Sequence, residues 1–394
     1  MSSNTNIHKD FITGFSVQDN EIPNKFIISF KTGSQLNFST RARMVLEDLG
    51  LPSSDSKLYK NINMMTITLP EKSRRQLTRK LYKRDDIRVE ADRLISIAPP
   101  PPGKGKNKDD SSDGGGDETI TEQWTAWNNS INPNLERVQE DGTKWNTLDK
   151  SKRIYILDTG ISDRTNDLNI DESSSIDFTG SHRRIGWRDQ NGHGTHVAGT
   201  AAAVNDDDGI AGIAAGATVV SVKVLDRRGQ GTVSSVLAGI NYVAGQDGNG
   251  NVANLSLGGG ISDAIDNAVI TAATKEDPIL FAIAAGNDDK PAANTSPARA
   301  GDRNLGIYTI AAHDKFNQRA EFSNFGVPTS FSAPGVSITS LGIEGTLIAL
   351  DGTSMASPAA AGQLFLTGSL QGDVPIAQPD GNNIPAIQIT DIIG

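Results

Sequence analysis

The segment DGTSMASP, residues 351–358, sets Ser354 among small residues just ahead of an alanine run. Two earlier segments complete a pattern, because Asp158 ends the apolar run IYIL and His193 lies within NGHGTHVAG. Aspartate, histidine and serine in this chain order form one of the known versions of the acyl-transfer triad. The three segments together therefore predict one site in which Ser354 is the nucleophile.

Each segment taken alone has a structural alternative. A Gly-Thr-Ser turn that opens a helix is usually an N-cap, and Asp-Thr-Gly is a common turn sequence. An asparagine after glycine, as at Asn287, is most often a turn residue. The pair His193 and His196 lacks the glutamate of the zinc-protease pattern His-Glu-x-x-His, which disfavours a metal site.

The combination of segments resembles the subtilisin-like serine proteases, or subtilases, and is most similar to their proteinase K branch. The resemblance covers roughly residues 120 to 370. The motifs that carry it are DTG (158–160), HGTHVAG (193–199), AAGN (284–287) and GTSMASP (352–358), and for the branch VKVLD (222–226), ANLSLGG (253–259) and EFSNFG (321–326).

The resemblance implies the role of each site residue. Ser354 attacks the substrate carbonyl, His193 is the general base, and Asp158 orients His193. Asn287 and the backbone N–H of Ser354 form the oxyanion hole. His196 is expected to be a packed, hydrogen-bonded helix residue, and the other histidines are expected to be at the surface or structural: His8, His182 and His313.

The resemblance also implies how a peptide substrate binds. Two segments match the edge strands that flank an extended peptide through main-chain hydrogen bonds: Gly229, Gln230 and Gly231, and Ser256, Leu257 and Gly258. Their glycines let the two backbones approach closely. We expect broad specificity, with a preference for apolar or aromatic side chains before the cut bond.

A structural Ca²⁺ site is implied by the loop that follows the His193 segment. The ligands carried over by position are carboxylate and carbonyl oxygens, the hard donors that Ca²⁺ takes: Gln123, Asp167, Val204, Asp206, Asp208 and Ile210. The alternative is a solvated acidic turn. The expected role is stabilising rather than catalytic.

The front of the chain, residues 22–98, has an α+β pattern. Strands are predicted at 25–31, 58–69 and 87–97, and helices at 39–49 and 71–82. This unit resembles the inhibitory pro-segment of subtilases, which has a small ferredoxin-like fold. The resemblance implies that the chain carries its own pro-segment as an intramolecular inhibitor; an unrelated small domain is the alternative.

Residues 99–119 are predicted to be a flexible linker. Four consecutive prolines favour extended chain, and the polar run after them cannot bury enough apolar surface to fold. Exposed linkers are preferred sites of proteolysis, so release of the pro-segment is expected within about residues 100 to 122. The peptidase domain would then be 120–394.

The remainder of the chain alternates between apolar runs and helical segments. Strands are predicted at 154–157, 219–225, 252–257, 279–285 and 307–312, and helices near 193–203, 233–244 and 262–275. This alternation predicts an α/β fold with a twisted parallel sheet and helices on both faces. Ligands of such sheets bind at the carboxyl ends of strands, where Asp158 and Asn287 both fall.

Composition narrows the functional classes. The 394 residues carry a net charge of -10 and no cysteine, which excludes disulfides and thiolate chemistry. Residues 1–100 hold 16 Lys and Arg against 11 Asp and Glu, whereas the remainder holds 21 against 36. The acidic remainder argues against nucleic acid as a partner, and no apolar run is long enough for a membrane span. A basic front segment facing an acidic body suits an intramolecular complex, and we expect a monomer.

The two terminal segments of the chain concern its localisation and its departure from the family pattern. No secretory signal is visible at the N-terminus, so the alternatives are secretion, which the resemblance implies, and the cytoplasm. Ala359 and Ala360 stand where the family has histidine and valine. From Gln371 the chain is rich in Pro, Gly, Asn and Gln, so the usual closing helix and strand are expected to be missing or replaced.

These expectations combine into a calcium-stabilised serine endopeptidase that works through an acyl-enzyme and is made as an autoinhibited precursor. Two other functions stay open. A non-catalytic, protease-like binding protein would suit the unusual C-terminal segment. A serine esterase or acyltransferase of another fold is disfavoured, because Ser354 lacks the Gly-x-Ser-x-Gly elbow and the chain order differs.

Overall fold

The computed structural model describes residues 20–31, 34–97, 148–181, 184–205 and 210–387. The front domain, residues 20–97, is an antiparallel sheet in the order β4-β1-β3-β2, with two helices. Its elements are β1 (Glu21–Phe30), α1 (Phe38–Leu49), β2 (Ser56–Tyr59), β3 (Met64–Thr68), α2 (Arg74–Tyr82) and β4 (Ile87–Ile97).

The front sheet is covered on both faces. Phe26 and Ile28 of β1 pack with α1 and α2 in the front domain's own core. Ile27, between them, belongs to a larger core shared with the rest of the chain. Because successive side chains of a strand point to opposite faces, one strand serves both cores.

The prediction of a single strand at 58–69 is wrong in one respect. The segment forms two strands, β2 and β3, separated by a 3₁₀ turn at Lys60–Ile62 and by Asn63 with φ of 52°. Asparagine is one of the few residues that enters this left-handed conformation readily. The break turns the expected βαβαβ pattern into βαββαβ.

The second unit, which we call the body, is described from residue 148 onward and is built on a largely parallel sheet. The strand order is β17-β18-β14-β13-β12-β10-β5-β8-β6, and β7 also pairs with β8. The body elements are β5 (Ile154–Asp158), β6 (Asn169–Ile170), β7 (Ile176–Asp177), α3 (His193–Ala202), β8 (Thr218–Lys223), β9 (Gln230–Thr232), α4 (Val233–Ala244), β10 (Val252–Leu255), β11 (Leu257–Gly258), α5 (Asp263–Ala273), β12 (Leu280–Ala284), β13 (Ile307–His313), β14 (Thr329–Pro334), β15 (Ile338–Leu341), β16 (Leu347–Leu350), α6 (Thr353–Thr367), β17 (Gly372–Ala377) and β18 (Asn383–Ile387).

Helices cover both faces of the body sheet, as predicted. Helices α4 and α5 contribute to the core on one face, and α3 and α6 to the core on the other. Neighbouring residues of β5, such as Ile156 and Leu157, are both fully buried because each faces one of these two cores. In the described part of the chain, no helix has the length and apolar character needed to cross a membrane.

The end of the described chain is a hairpin. Strand β17 pairs antiparallel with β18, and β18 adds in parallel to β14 through Ser332 and Ala386. Ile376 packs fully buried against Ala311 of β13. A strand hairpin therefore extends the sheet in the segment where the sequence lacked a helical pattern.

Candidate active site

Asp158 and His193 form a buried hydrogen-bonded pair. The Nδ1 of His193 lies 2.8 Å from Oδ1 and 3.0 Å from Oδ2 of Asp158. Burial alone would lower the pKa of His193, but the charge and hydrogen bond of Asp158, with the charge of Asp189, raise it above the usual value. The ring is thus oriented by Asp158 and made more basic than a free histidine.

Small residues allow this pair to form. Asp158 is the last residue of β5 and His193 is the first residue of α3. A Cβ on Gly194 would lie 3.2 Å from the Cβ of Asp158 and would collide with the carbonyl oxygen of Gly160. Gly160 itself has φ of 115°, a conformation that side chains rarely permit. Helix α3 therefore approaches the end of β5 only because glycines stand at both points of contact.

Ser354 lies in the first turn of α6, which packs against α3. Pro358 stands four residues further on inside the same helix, and it has no N–H to donate to the Ser354 carbonyl. That carbonyl instead accepts a hydrogen bond from the Ser256 hydroxyl at 2.8 Å. Proline thus gives the backbone of Ser354 a partner outside its own helix.

The Ser354 hydroxyl also contacts Ser256. It donates to the Ser256 carbonyl oxygen at 3.3 Å, so in this conformation its proton points to the segment beside β11. The expected role of Ser354 as nucleophile would require this hydroxyl to turn away from Ser256 and towards His193. Geometry of this kind tightens in enzymes when substrate binds.

Asn287 follows β12 and is held by the residue before Ser354. Its Oδ1 accepts hydrogen bonds from the backbone N–H and the hydroxyl of Thr353, at 2.9 and 2.8 Å. With Oδ1 engaged in this way, Nδ2 is the donor end of the amide. A Cβ on Gly352 would lie only 3.1 Å from that Nδ2, so glycine there leaves room beside the amide.

The two predicted substrate segments lie on either side of one strand of the front domain. Strand β4 pairs antiparallel with β9, with Ile95 opposite Gly231, and with β11, with Ser96 opposite Gly258. The N–H of Ile97 donates to the Gly229 carbonyl at 3.0 Å. An extended chain segment of this protein thus occupies the cleft that the sequence predicted for a peptide.

Comparison with known proteins places the chain in a family. The model of the subtilase family matches residues 149–376, which is more than half of the chain. The chain belongs to the subtilase family.

Three curated relatives of this subtilase illustrate the similarity. It is 38% identical over 244 residues to the subtilisin-like serine protease AsES of Sarocladium strictum, 39% identical over 217 residues to the thermostable alkaline protease of Halalkalibacterium halodurans, and 41% identical over 229 residues to cerevisin of Saccharomyces cerevisiae. These matches cover 61%, 55% and 55% of the chain, but only 58%, 56% and 34% of the relatives. The chain therefore spans less than two thirds of each relative's length.

A solved structure also matches the subtilase. It is described as a cold-adapted subtilisin-like serine proteinase, with 36% sequence identity and a TM-score of 0.48. The match covers 54% of this chain and 74% of the other.

Carboxylates of the front domain cap two helices of the subtilase body. Asp92 accepts the N–H of Ser234 in the first turn of α4 at 2.9 Å, and Glu90 accepts that of Ala264 in α5 at 3.2 Å. Lys25 bonds to Asp92 at 3.2 Å and to the Ser234 hydroxyl at 2.8 Å. We call Lys25, Asp92 and Ser234 the interface network; negative charge at a helix N-terminus is favourable.

Asp189 is a site residue that the sequence analysis missed. Its Oδ1 accepts hydrogen bonds from the Thr159 hydroxyl at 3.0 Å and from the N–H groups of Asn191 and Gly192 at 2.8 and 3.1 Å. Its Oδ2 accepts the N–H and hydroxyl of Thr195 at 3.0 and 2.7 Å. The motif RDQNGHG, in which an aspartate precedes the histidine by four residues, was the available signal.

Lys223 is the second missed residue. It ends β8 and is fully buried, and its Nζ donates to the carbonyl oxygen of Thr159. Burial lowers its pKa, while the charges of Asp189, Asp177, Asp158 and Asp226 oppose that change. We call Asp158, Asp189 and Lys223 the buried network. The sequence analysis had included Lys223 in an apolar strand run.

The remaining described histidines are buried and bonded. The Nε2 of His196 lies 2.9 and 3.2 Å from the carbonyl oxygens of Ile338 and Ile348, and burial lowers its pKa to about 3. His196 is thus a neutral donor, in agreement with a packed helix residue. His313 bonds to the Ser332 hydroxyl through Nδ1 at 2.8 Å. His8 and His182 lie outside the described residues.

Three of the six expected calcium ligands lie within the described residues: Asp167, Val204 and Ile210. Within the described residues, the N–H of Val204 donates to the carbonyl oxygen of Asp167 at 3.0 Å, which brings two of the expected ligand residues side by side. Ile210 is buried a few residues further on. The other expected ligands, Gln123, Asp206 and Asp208, lie outside the described residues.

Proposed function

We propose that this subtilase is a serine endopeptidase that cleaves peptide bonds through an acyl-enzyme intermediate. The observation that carries the proposal is the buried Asp158–His193 pair on a helix that packs against the helix of Ser354. A serine is a useful nucleophile only when a base accepts its proton, and His193 is oriented and basic enough to do so.

The reaction follows from these residues. Ser354 attacks the substrate carbonyl as His193 takes the hydroxyl proton, and Asp158 stabilises the imidazolium that forms. Asn287 Nδ2 and the Ser354 N–H donate to the oxyanion; N–H groups in a first helical turn have no partner within the helix. His193 then protonates the leaving amine, and water hydrolyses the acyl-enzyme by the same steps in reverse.

Substrates are proposed to bind as an added strand between β9 and β11. The support is the manner in which β4 pairs with both segments, since main-chain bonds require little of the substrate sequence. Ile95 of β4 is almost fully buried in an apolar core beside Gly259. We therefore propose broad specificity with a preference for apolar residues on the side of the cut bond that β4 occupies.

The front domain is proposed to be the intramolecular inhibitor of this cleft. While β4 pairs with both edge segments, no other extended chain can use their main-chain groups. In each of the four peptide bonds from Ala98–Pro99 to Pro101–Pro102, the residue after the bond is a proline. Proline has no backbone N–H and a fixed φ, so we expect cleavage beyond these bonds. We propose that release occurs within about residues 100 to 122, at or beyond Gly103.

Calcium is proposed to stabilise the body without entering the reaction. Asp167 and the Val204 backbone would contribute oxygen donors, with the expected ligands of the neighbouring loop. Added Ca²⁺ should raise the thermal midpoint of the chain, and Asp167→Asn should reduce that gain. Asp163→Asn, which removes a surface partner of Arg188, is the matched control. An equal calcium response in both variants would contradict this site.

The test of the activity is covalent labelling with a fluorophosphonate, with intact mass as the readout. One label per chain is expected after a trace of trypsin has cut the linker, and none in Ser354→Ala. Ser369→Ala, near the end of the same helix, should label as the parent does. A folded parent chain that takes no label, either with or without trypsin, would favour the binding-protein alternative. The same mass measurement locates the new N-terminus.

A further inference from the structure

Asp189 joins the two segments that carry the Asp158–His193 pair. Thr159, whose hydroxyl donates to Asp189, directly follows Asp158, and the same hydroxyl accepts the N–H of Gly194 at 2.9 Å. On the other side, the Thr195 N–H and hydroxyl hold the first turn of α3 to Asp189. The carboxylate is only 6% exposed, so these bonds lie away from water.

We propose that Asp189 is a positioning residue for His193, which fixes the first turn of α3 against the end of β5 and acts on the imidazole through its charge. The bonds to Asp189 define where His193 begins its helix relative to Asp158. A displacement of about 1 Å in such a pair can reduce turnover by about a hundredfold.

The second part of the proposal, that Asp189 acts on the imidazole through its charge, depends on the charged groups around His193. Asp158 from β5 and Asp189 from the turn before α3 both raise the pKa of His193. Lys223 is the register partner of Asp158 on β8, and the charges of both carboxylates raise its pKa. His196, one turn along α3, is neutral because its pKa is lowered to about 3. Loss of the Asp189 charge leaves Asp158 as the negative group that raises the pKa of His193, and this favours the neutral imidazole.

A purely structural carboxylate elsewhere in the body provides the comparison. Asp171 accepts hydrogen bonds from Arg153, Ser173 and Ser174 at 2.7 to 3.1 Å. It follows β6, where Asn169 pairs with the first residue of β8, whereas Asp158, the partner of His193, lies opposite Lys223 at the last residue of β8. Asp171→Asn thus removes a well-bonded carboxylate that does not face the imidazole.

The experiment is an NMR titration of His193 in the full chain carrying Ser354→Ala, which prevents self-digestion. The consequence for catalysis rests on the proposed function, but the titration requires no turnover, so the two can fail separately. Asp189→Asn should lower the midpoint of His193 titration, whereas Asp171→Asn should leave it unchanged. An unchanged midpoint in folded Asp189→Asn would overturn the proposal.

A second variant separates position from charge. Thr195→Val removes a donor to Asp189 and leaves every charge in place. The midpoint of His193 should stay the same, while the downfield Nδ1 proton of the Asp158–His193 bond should exchange faster with water. In the Ser354 parent, kcat should fall about tenfold or more with KM unchanged. If Asp189→Asn does not fold, Thr195→Val alone decides. An exchange rate of the His193 Nδ1 proton in Thr195→Val equal to that in the parent would then overturn the proposal.

Discussion

The buried network and the interface network have similar compositions and different surroundings. In each network a lysine donates to an uncharged oxygen beside one or two aspartates: the Thr159 carbonyl for Lys223 and the Ser234 hydroxyl for Lys25. Lys223 is fully buried, whereas the Lys25 side chain is 34% exposed. Water can therefore replace the partners of Lys25 and cannot replace those of Lys223. The buried network is therefore a permanent link inside the body, whereas the interface network is a separable link between the body and the front domain.

The largest expected effect is on the permanent link. Lys223→Met keeps most of the side-chain volume but removes the buried charge on the strand residue opposite Asp158 and the donor to the Thr159 carbonyl. Removing one partner of a buried charged set lowers the free energy of unfolding by about 3–5 kcal/mol. Denaturant unfolding in the Ser354→Ala background measures this loss. An unchanged unfolding midpoint would show that the carboxylates do not need Lys223.

The next effect concerns the separable link. Asp92→Asn removes the charge that caps α4 and pairs with Lys25, so the front domain should bind the body more weakly by about 2–5 kcal/mol. After the linker is cut, the variant front fragment should separate from the body on gel filtration where the parent fragment stays bound.

A control on the same domain tests whether this effect belongs to the interface. Asp86→Asn removes the partner of Arg84 within the front domain. It should leave the fragment bound to the body. Equal release in the two variants would mean that Asp92 acts through the stability of the front domain alone.

A third prediction concerns pH at Asp266, which lies in α5 beside the interface. Burial raises the pKa of Asp266 to about 7, and the charges of Asp263 and Glu90 add to this rise. The Ser296 hydroxyl and the charge of Arg299 lower the pKa and so act against it. The unfolded value is about 3.9. Stability from protonated Asp266 is fully present below the unfolded pKa and is lost as pH rises through about 7.

Asp266→Asn tests that sign. The variant stays uncharged, so the thermal midpoint of the variant minus that of the parent should increase as pH rises from about 4 to 8. Arg299 lies 3.1 Å from Asp266. If that difference instead decreases with rising pH, the ion pair between Arg299 and Asp266 outweighs the cost of burying the charged carboxylate.

The smallest effect is expected at the exposed end of the interface network. Lys25→Met should weaken binding of the front domain by about 0.2–1 kcal/mol, the range of partly exposed ion pairs. Salt should reduce the difference between variant and parent because it screens exposed charges. A difference that persists at 1 M salt would place Lys25 with the permanent links.

The candidate catalytic residues were chosen from contiguous motifs in the sequence, and their catalytic roles stay predictions. Asp158, His193, Asn287 and Ser354 each lie in a run of small residues, because a close approach of backbones at each point requires glycine or alanine. Their combination was readable without coordinates. The alternating apolar runs predicted the parallel sheet for the same reason, since strands between two helical layers are apolar on both faces.

What the sequence did not predict depends on contacts between distant segments. Asp189 is read as a polar loop residue until the turn brings backbone N–H groups from both sides to its carboxylate. Lys223 lies in an apolar run, and only the fold reveals the buried carboxylates that face it. The break at Asn63 and the hairpin after Gln371 were missed or left open, because their alternatives differ only in turn conformation and strand partner.

The carbonyl oxygen of Ser256 has a consequence for the timing of the reaction. In the structure it accepts the hydroxyl of Ser354, and it belongs to the edge segment that an extended chain must join. A chain that donates an N–H to this oxygen competes with the hydroxyl for one acceptor. In the proposed reaction, a substrate that donates an N–H to this oxygen would let the Ser354 hydroxyl turn towards His193, whereas the β4 segment that occupies the cleft here leaves that hydroxyl bonded to Ser256.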